Sequence, residues 1–376
     1  MKSQFTVLAI ETSCDETSAA IVCQNESGVH VRSNIVSSQI QLHAKWGGVV
    51  PSLAAREHVV NIIPVIKQAF LEAHILPEHV DCIAVTNRPG LIPALLIGTM
   101  TAKTLSWLWK KPLIGIHHIE GHIYANSIEN DKEETLSNIP HTKNEHRKKE
   151  FNFPILALVV SGGHTQIVLM RNHVTYEIIG ETQDDAAGEA FDKVARLLGL
   201  EYPGGPAVSR EAKKYREQTP QIQRGIVLPR PMIQSKNYHF SFSGLKTAVL
   251  TVVKKTPPDV LPQIIPEICH EFQQAVIDVL TEKTLRAAQE FSPKTILLAG
   301  GVSANIELRA QLEKKVHEEF SDVTYLVPSL EYSVDNAVMI GAAACFRWKI
   351  MSAKEREQAK KSWKSLEISA HERMRT

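Results

Sequence analysis

Two stretches about 150 residues apart follow one pattern of apolar and polar positions. "TVLAIETSCDETSAAIVCQ" (residues 6–24) and "PILALVVSGGHTQIVLMRN" (residues 154–172) each set an apolar run, a short turn of small polar residues and a second apolar run. Such runs, bounded by turn residues, predict paired β-strands. Their recurrence at the head of each half predicts a duplication. The expected architecture is two α/β lobes, each opening with a hairpin whose tip faces a shared central cleft.

Helical spacing fills the intervals. In "SLAAREHVVNIIPVIKQAFLEAHIL", Val59, Ile62, Ile63, Ile66 and Phe70 recur every three to four positions and predict a helix over 53–76. "PALLIGTMTAKTLSWLWK", after the turn at Pro89 and Gly90, predicts another over 92–110. "GEAFDKVARLLGL" predicts a helix stopped near Gly199, and "KTILLAGGVSANIELRAQLEKKV" a buried strand, a glycine turn and a helix. Residues 1–124 then form lobe I, completed by a helix at 336–352, and residues 153–335 form lobe II. Residues 125–152 read as a polar linker, being mostly charged, poor in apolar residues and without a period. The segment 353–376 carries seven Lys or Arg against four Glu and reads as a basic, poorly ordered tail or a loose helix.

Composition narrows the classes of function. The 376 residues are 43% hydrophobic and 22% charged, ordinary for a globular protein of two domains. A formal net charge of +1 does not advertise a nucleic-acid partner, so such a partner must be met by a local patch, with "HRKKE" (residues 146–150) and the tail as candidates. The five cysteines (Cys14, Cys23, Cys82, Cys269, Cys345) lack Cys-x-x-Cys spacing, against a disulfide framework or a zinc ribbon. The chain enters a strand-like run at once, leaving no room for a targeting peptide, and no stretch reaches the apolar length of a bilayer span. The expected setting is cytoplasmic, without membrane contact.

The candidate chemistry gathers at few places. In "IGIHHIEGHIYAN" (residues 114–126), His118 and His122 stand four apart, so on a helix they share a face and can grip a metal together, or else merely decorate a helix end. Asp335, in "EYSVDNAVMIGAAA", suits an N-cap, yet a carboxylate also completes a two-histidine metal set. Glycine turns at "SGGHT", "YPGGPA" and "AGGVSAN" offer bare backbone N–H groups to a phosphate-type ligand. With Asp184 or Asp185 as a cap, Asp185, Glu189 and Asp192 share one helix face and suit the hydroxyls of a ribose. Asp15 and Glu16 occupy the first hairpin's tip. No Walker or dinucleotide glycine motif occurs. A zincin needs His-Glu-x-x-His, and Glu120 is displaced by one residue, about 100° round a helix. That places a metalloprotease last.

Taken together, "IETSCDETSAAIV", "GGVVPSLAAREHV", "HHIEGH", "VVSGGHTQ", "DDAAGEAFDKVARLLGLEYPGGP", "FSFSGLKT", "AGGVSAN" and "DNAVMI" resemble the tRNA threonylcarbamoyladenosine transferases in their bacterial TsaD branch, over residues 5–350. The resemblance implies the two-lobed fold of actin and sugar kinases. It also implies transfer of a threonylcarbamoyl group from threonylcarbamoyl-AMP to N6 of the adenosine 3′ of the anticodon, in tRNAs reading codons that begin with A. It further implies one divalent metal, iron ahead of zinc, on His118, His122 and Asp335. Adenylate contacts carry over to Val159, Val160, Ser161, Gly162, Gly163, Asp192, Gly205 and Asn305, and Asp15 and Glu16 fall on a turn needed for activity. The implied partners are tRNA, a second protein of the same fold (TsaB-like) and a small ATPase (TsaE-like). The helices at 53–76 and 92–110, long and amphipathic in a lobe with little visible chemistry, are candidate docking surfaces, though packing on their own sheet accounts for most of their apolar face.

Departures from the family pattern are Arg88 in place of a glycine, Pro93, Val334 before the Asp-Asn pair, and Ser209 where some relatives carry an aspartate. The alternatives are a catalytically silent scaffold of the same fold, which would lack the metal set, and an actin-like ATPase or kinase, in which "HHIEGH" has no task.

Overall fold

The computed structural model describes residues 4–128, 151–218 and 225–371. The first hairpin pairs β1 (Phe5–Glu11) with β2 (Glu16–Gln24) in antiparallel register, Phe5 opposite Gln24 and Glu11 opposite Ser18. β3 (Val29–Ser38) continues antiparallel beyond β2, while β4 (Cys82–Arg88) and β5 (Leu113–His117) add in parallel beyond β1. The sheet order is β3-β2-β1-β4-β5. Helices α1 (Ile40–Ala44), α2 (Pro51–Ala73) and α3 (Ile92–Trp109) connect these strands, and α4 (His118–Tyr124) follows β5 without a loop.

The second half repeats the plan. β6 (Ile155–Val160), β7 (Thr165–Asn172) and β8 (Thr175–Glu181) are an antiparallel meander, and β9 (Thr295–Ala299) and β10 (Thr324–Leu326) add in parallel beyond β6. The order β10-β9-β6-β7-β8, read backwards, matches the first sheet strand for strand and direction for direction. The duplication read from two hairpins is therefore a duplication of whole sheets. Between β8 and β9 come α5 (Ala187–Leu197), α6 (Gly204–Gln218), α7 (Ser243–Lys255) and the long α8 (Leu261–Phe291), and α9 (Ile306–Glu319) precedes β10.

The two sheets share a core. α10 (Ala337–Ile350) returns the chain to the first sheet, and together with α4 it forms one buried cluster with Ala9 and Val22 of one sheet and Ala157, Val159 and Leu297 of the other. The helices meet closely through Gly121, where a Cβ would lie 2.8 Å from Ile340 Cδ1. A larger residue would force the Ile340 and Met339 side chains to shift. The histidine-bearing helix thus stands buried at the junction of the two sheets.

Several expectations differ from what is observed. Residues 125–128, placed in the linker, are buried, with Ile128 bridging to Val29, while 129–150 lie outside the described residues. On α2, Ile62 and Ile66 are buried but Val59 and Ile63 are exposed, because the sheet covers only one flank of the apolar stripe. The segment after 352 is not loose over its described part. A capping box, in which Ser352 and Glu355 exchange hydrogen bonds, starts α11 (Ala353–Ala359). Trp363 and Leu366 then pack on lobe I. Asn87 Nδ2 donates to the Glu367 carbonyl at 2.8 Å and Ser369 N–H to the Asn87 carbonyl at 3.1 Å. Apolar anchors within a charged segment explain the docking. Pro93 sits in the first turn of α3, where its missing N–H costs nothing.

Candidate metal centre

β5 ends at His117, whose ring accepts a hydrogen bond from the Ile119 N–H at 3.3 Å and caps α4. One turn of α4 then places His118 and His122 on the same side, ring centroids 4.6 Å apart and nearly perpendicular. Glu120 points the other way, into the guanidinium of Arg347 on α10. The three histidines therefore divide into one cap and one candidate ligand pair, and the glutamate is structural.

Asp335 closes the set. It is not the cap of α10; Asn336 is, accepting from the Met339 N–H at 3.2 Å. That frees Asp335, whose Oδ1 lies 3.4 Å from His118 Nε2 and 3.1 Å from His122 Nε2. One ligand atom from each of the three residues falls within 4.8 Å of the others. Both ring nitrogens of His122 are buried without a hydrogen bond, Nε2 included despite its approach to Asp335. A buried polar atom left so is costly, unless it faces a ligand. Two imidazoles and a carboxylate are a donor set that suits iron or zinc and leaves coordination positions open. The residues fit a divalent metal.

The electrostatics agree with convergent ligands. Burial would raise the Asp335 carboxyl, yet the neighbouring His118 charge outweighs it and holds the carboxyl well below the usual range. Burial pushes the His122 imidazole down. Burial acts the same way on His118, but the Asp335 and Glu11 carboxylates override it and raise His118 well above its ordinary value. Glu11 and Ser13 both reach His118 Nδ1, at 3.2 and 3.1 Å. Neither stood out in the sequence. The available signal was one acid closing an otherwise apolar strand, "FTVLAIE", where an unpaired carboxylate would be expensive.

Both hairpin tips face this centre. Asp15 is buried and Glu16 half-buried, so the tip is not solvated. Burial, then the charges of Asp15 and Asp335, raise Glu16 well above the usual carboxylate range. From lobe II, His164 of the "SGGHT" turn is lowered to about 4, by burial first and then by the charges of His118 and His122. Gly162 and Gly163 beside it are exposed, with open space where their Cβ atoms would be. Val159 and Val160 are wholly buried strand residues that hold this turn rather than present side chains. Ser161 Oγ accepts from the His164 N–H at 3.1 Å and closes the turn.

The remaining lobe II candidates separate. Asp184 and Asp185 do not cap α5, whose N-cap is Ala186. Asp184 instead accepts from Ser241, Phe242 and Ser243, at the start of α7. Asp185 and Glu189 both pair with Lys193, at 2.6 and 2.9 Å, so the face of three acids is largely neutralised. Asp192 turns to the glycine turn, accepting from the Gly204 N–H at 2.7 Å, and Gly205 next to it borders open space. Burial raises the Asp192 carboxyl and the charge of Asp15 across the cleft adds to it. Asn305 caps α9 and donates to Gln273 and Ser209. Gly300 carries the strand-to-helix turn at φ +88°, with no room for a Cβ against the Val160 carbonyl.

The fold and centre define a class: a duplicated, two-lobed α/β protein with a candidate metal-ligand set where the lobes meet. A family model described as "tRNA N6-adenosine threonylcarbamoyltransferase" (TsaD) matches residues 30–342, and the chain belongs to that family of transferases. The chain is similar to the tRNA N6-adenosine threonylcarbamoyltransferase of Bacillus subtilis, 48% identical over 338 residues that cover 90% of this chain and 89% of that one. To the Bacillus licheniformis protein of the same name it is 46% identical over 342 residues, 91% and 92% of the two chains. Among solved structures, HypF from T. kodakarensis shares the fold with a TM-score of 0.58 at 13% identity, over 95% of this chain and 50% of HypF. Among the described residues no helix is long and apolar enough to cross a membrane.

Proposed function

We propose that this tRNA N6-adenosine threonylcarbamoyltransferase takes its acyl group from threonylcarbamoyl-AMP and delivers it to the adenosine 3′ of the anticodon in tRNAs reading ANN codons. The observation that carries this reading is the convergence of His118, His122 and Asp335 opposite an open glycine turn. An exocyclic adenine amine is a weak nucleophile, so the carbonyl it attacks must be activated. His118, His122 and Asp335 would hold a divalent metal, iron ahead of zinc, which would supply Lewis-acid polarisation of that carbonyl.

The chain's own residues do the rest. The backbone N–H groups of Gly162 and Gly163 hold the phosphate and take up its growing charge as AMP leaves with the electron pair of the breaking C–O bond. Val159, Val160 and Ser161 fix that turn, Gly205 lets the ligand approach the start of α6, and Asp192 and Asn305 line the adenylate side. As the new C–N bond forms, N6 gives up a proton. Glu16, raised by burial and by the Asp15 and Asp335 charges, is the better acceptor, with Asp15 beside it to orient the amine.

Partners complete the proposal. A second protein of the same fold docks on α2 and α3, which leave Val59, Val60, Ile63, Leu96, Met100 and Trp107 exposed. A small ATPase acts with it, and tRNA meets the basic tail. The other candidate for tRNA, residues 146–150, lies outside the described residues. The setting is the cytoplasm, where tRNA substrates are found. Lobe I comprises residues 1–124 with the helix at 336–352, and lobe II residues 153–335.

The test mixes purified protein, threonylcarbamoyl-AMP and unmodified ANN-decoding tRNA, with and without the two partners. Mass spectrometry of the digested tRNA then looks for threonylcarbamoyladenosine. Product from the wild type and not from His118→Ala supports the reading; no product even with both partners overturns it.

A further inference from the structure

Glu11 is fully buried, and among the described residues its ion-pair contact is with a metal-ligand candidate, His118. It closes β1, and the parallel register that sets Ile10 opposite Val85 brings Thr86 of β4 alongside. The Thr86 hydroxyl donates to Glu11 Oε2 at 2.5 Å and the Ser13 backbone N–H to Oε1 at 2.5 Å. Oε2 also lies 3.2 Å from His118 Nδ1. An ionised carboxylate only accepts hydrogen bonds, so this contact is attractive only if Nδ1 carries the proton. The neutral imidazole then has its lone pair on Nε2, the nitrogen that faces Asp335.

We infer that Glu11 is a positioning residue that fixes the tautomer of His118, keeping the proton on Nδ1 and Nε2 open to a metal. The inference rests on the metal-centre reading. It matches the general need of a ligating histidine for an outer partner on its second nitrogen. The pinning is one-sided. Ser13 N–H can only donate, so in Glu11→Gln it holds the amide oxygen at Oε1 and turns the NH₂ toward Thr86 and His118. Thr86 can accept by rotating its hydroxyl. His118 can accept only through a bare Nδ1, which moves the ring proton to Nε2 and blocks the metal position. The isosteric substitution therefore inverts the tautomer rather than merely weakening a contact. Ser13 Oγ, 3.1 Å from the same nitrogen, can donate or accept and imposes no choice.

The experiment measures Zn²⁺ affinity of the full chain by competition with a chromophoric chelator, for wild type, Glu11→Gln and Ser13→Ala, with thermal melts of the metal-free proteins as a folding control. Glu11→Gln should bind Zn²⁺ roughly 10- to 100-fold more weakly while folding normally, and Ser13→Ala by no more than about threefold. A folded Glu11→Gln with wild-type affinity overturns the inference, as does Ser13→Ala showing the larger loss. A wild type that binds no Zn²⁺ overturns the metal reading itself. Should Glu11→Gln fail to fold, the ¹⁵N spectrum of histidine-labelled Asp335→Ala, in which no carboxylate competes for the proton at Nε2, decides, taken where His118 is neutral and assigned by His118→Gln. A proton on Nδ1 supports the role of Glu11, and a proton on Nε2 ends it.

Discussion

Both carboxylate oxygens of Glu120 accept from the guanidinium of Arg347, at 2.6 Å from Nε and 2.5 Å from Nη2. This bidentate pair ties α4, which carries the two ligand histidines, to α10, which starts just after Asp335. Glu120 is wholly buried, and burial is overridden at Arg347 by the Glu120 charge, which pushes the guanidinium far up. Removing Arg347 leaves the Glu120 carboxylate buried without compensation, and removing Glu120 strands a guanidinium that is only partly exposed. Arg347→Met and Glu120→Gln should each cost about 3–5 kcal/mol in denaturant unfolding, and the double variant less than their sum. Single variants within about 0.5 kcal/mol of wild type would contradict the tie.

The ligand set predicts a stability linkage. A metal that binds only the folded protein at a hundred times its Kd adds about 2.7 kcal/mol. Dialysis against a chelator should therefore lower the melting temperature, and the ion should restore it. Asp335→Asn keeps the shape but removes the charge that both imidazoles face, so metal content per chain should fall sharply. Elemental analysis showing full occupancy in Asp335→Asn would remove that residue from the set.

How much of this could be read in the sequence depends on the range of each interaction. Hairpins, the His118–His122 spacing and the glycine turns are local patterns, and they were legible. That His117 is a cap and Glu120 a strut required knowing where α4 begins and that Arg347 lies behind it. Asp184 serves a helix nearly sixty residues away, and Lys193 neutralises two acids that periodicity alone made a binding face. Glu11 meets His118 across 107 residues of chain. The charged tail hid its anchors, Trp363 and Leu366, because two apolar residues among basic ones make no period.

His164 supplies a pH dependence. In the unfolded chain its imidazole protonates near pH 6.5, whereas the folded site, through burial and the nearby His118 and His122 charges, resists protonation down to about 4. Over that window the unfolded state binds more protons, so stability falls as pH drops and this contribution levels off below it. His164→Gln should lose less unfolding free energy than wild type between about pH 7 and about pH 4.5. Parallel curves for the two proteins would show that another group sets the acid limb.

The docked tail should contribute to lobe I. Trp363 packs near Trp107, at 6.4 Å between centroids, and Leu366 covers Gly115, where a Cβ would lie 2.6 Å from its Cδ1. Trp363→Ala should cost about 1–3 kcal/mol through lost apolar burial. Gly115→Ala should displace Leu366 and raise proteolytic cleavage after residue 360. Asn87 would be pressed as well, its Cγ lying 2.8 Å from the added Cβ, so an unchanged digestion pattern in Gly115→Ala would mean that neither the Leu366 contact nor the Asn87 hydrogen bonds hold the tail.

The exposed face of α2 and α3 makes the last prediction. Ile63 is 46% exposed, Met100 50% and Trp107 58%, on helices whose opposite sides already pack on the sheet. Apolar groups at that exposure contribute little in the isolated chain, so an acidic residue at Ile63 or Met100 should cost no more than about 1 kcal/mol of stability. If a second protein of the same fold docks on this face, the same acid is buried against apolar surface and must shed its hydration. Ile63→Glu and Met100→Glu should then weaken association at least tenfold, measured by calorimetry, and lower partner-dependent tRNA modification in step. Partner-independent Zn²⁺ binding should stay at the wild-type value, since neither residue is among those that meet His118, His122 or Asp335. Undiminished association in both variants would move the docking site off these helices.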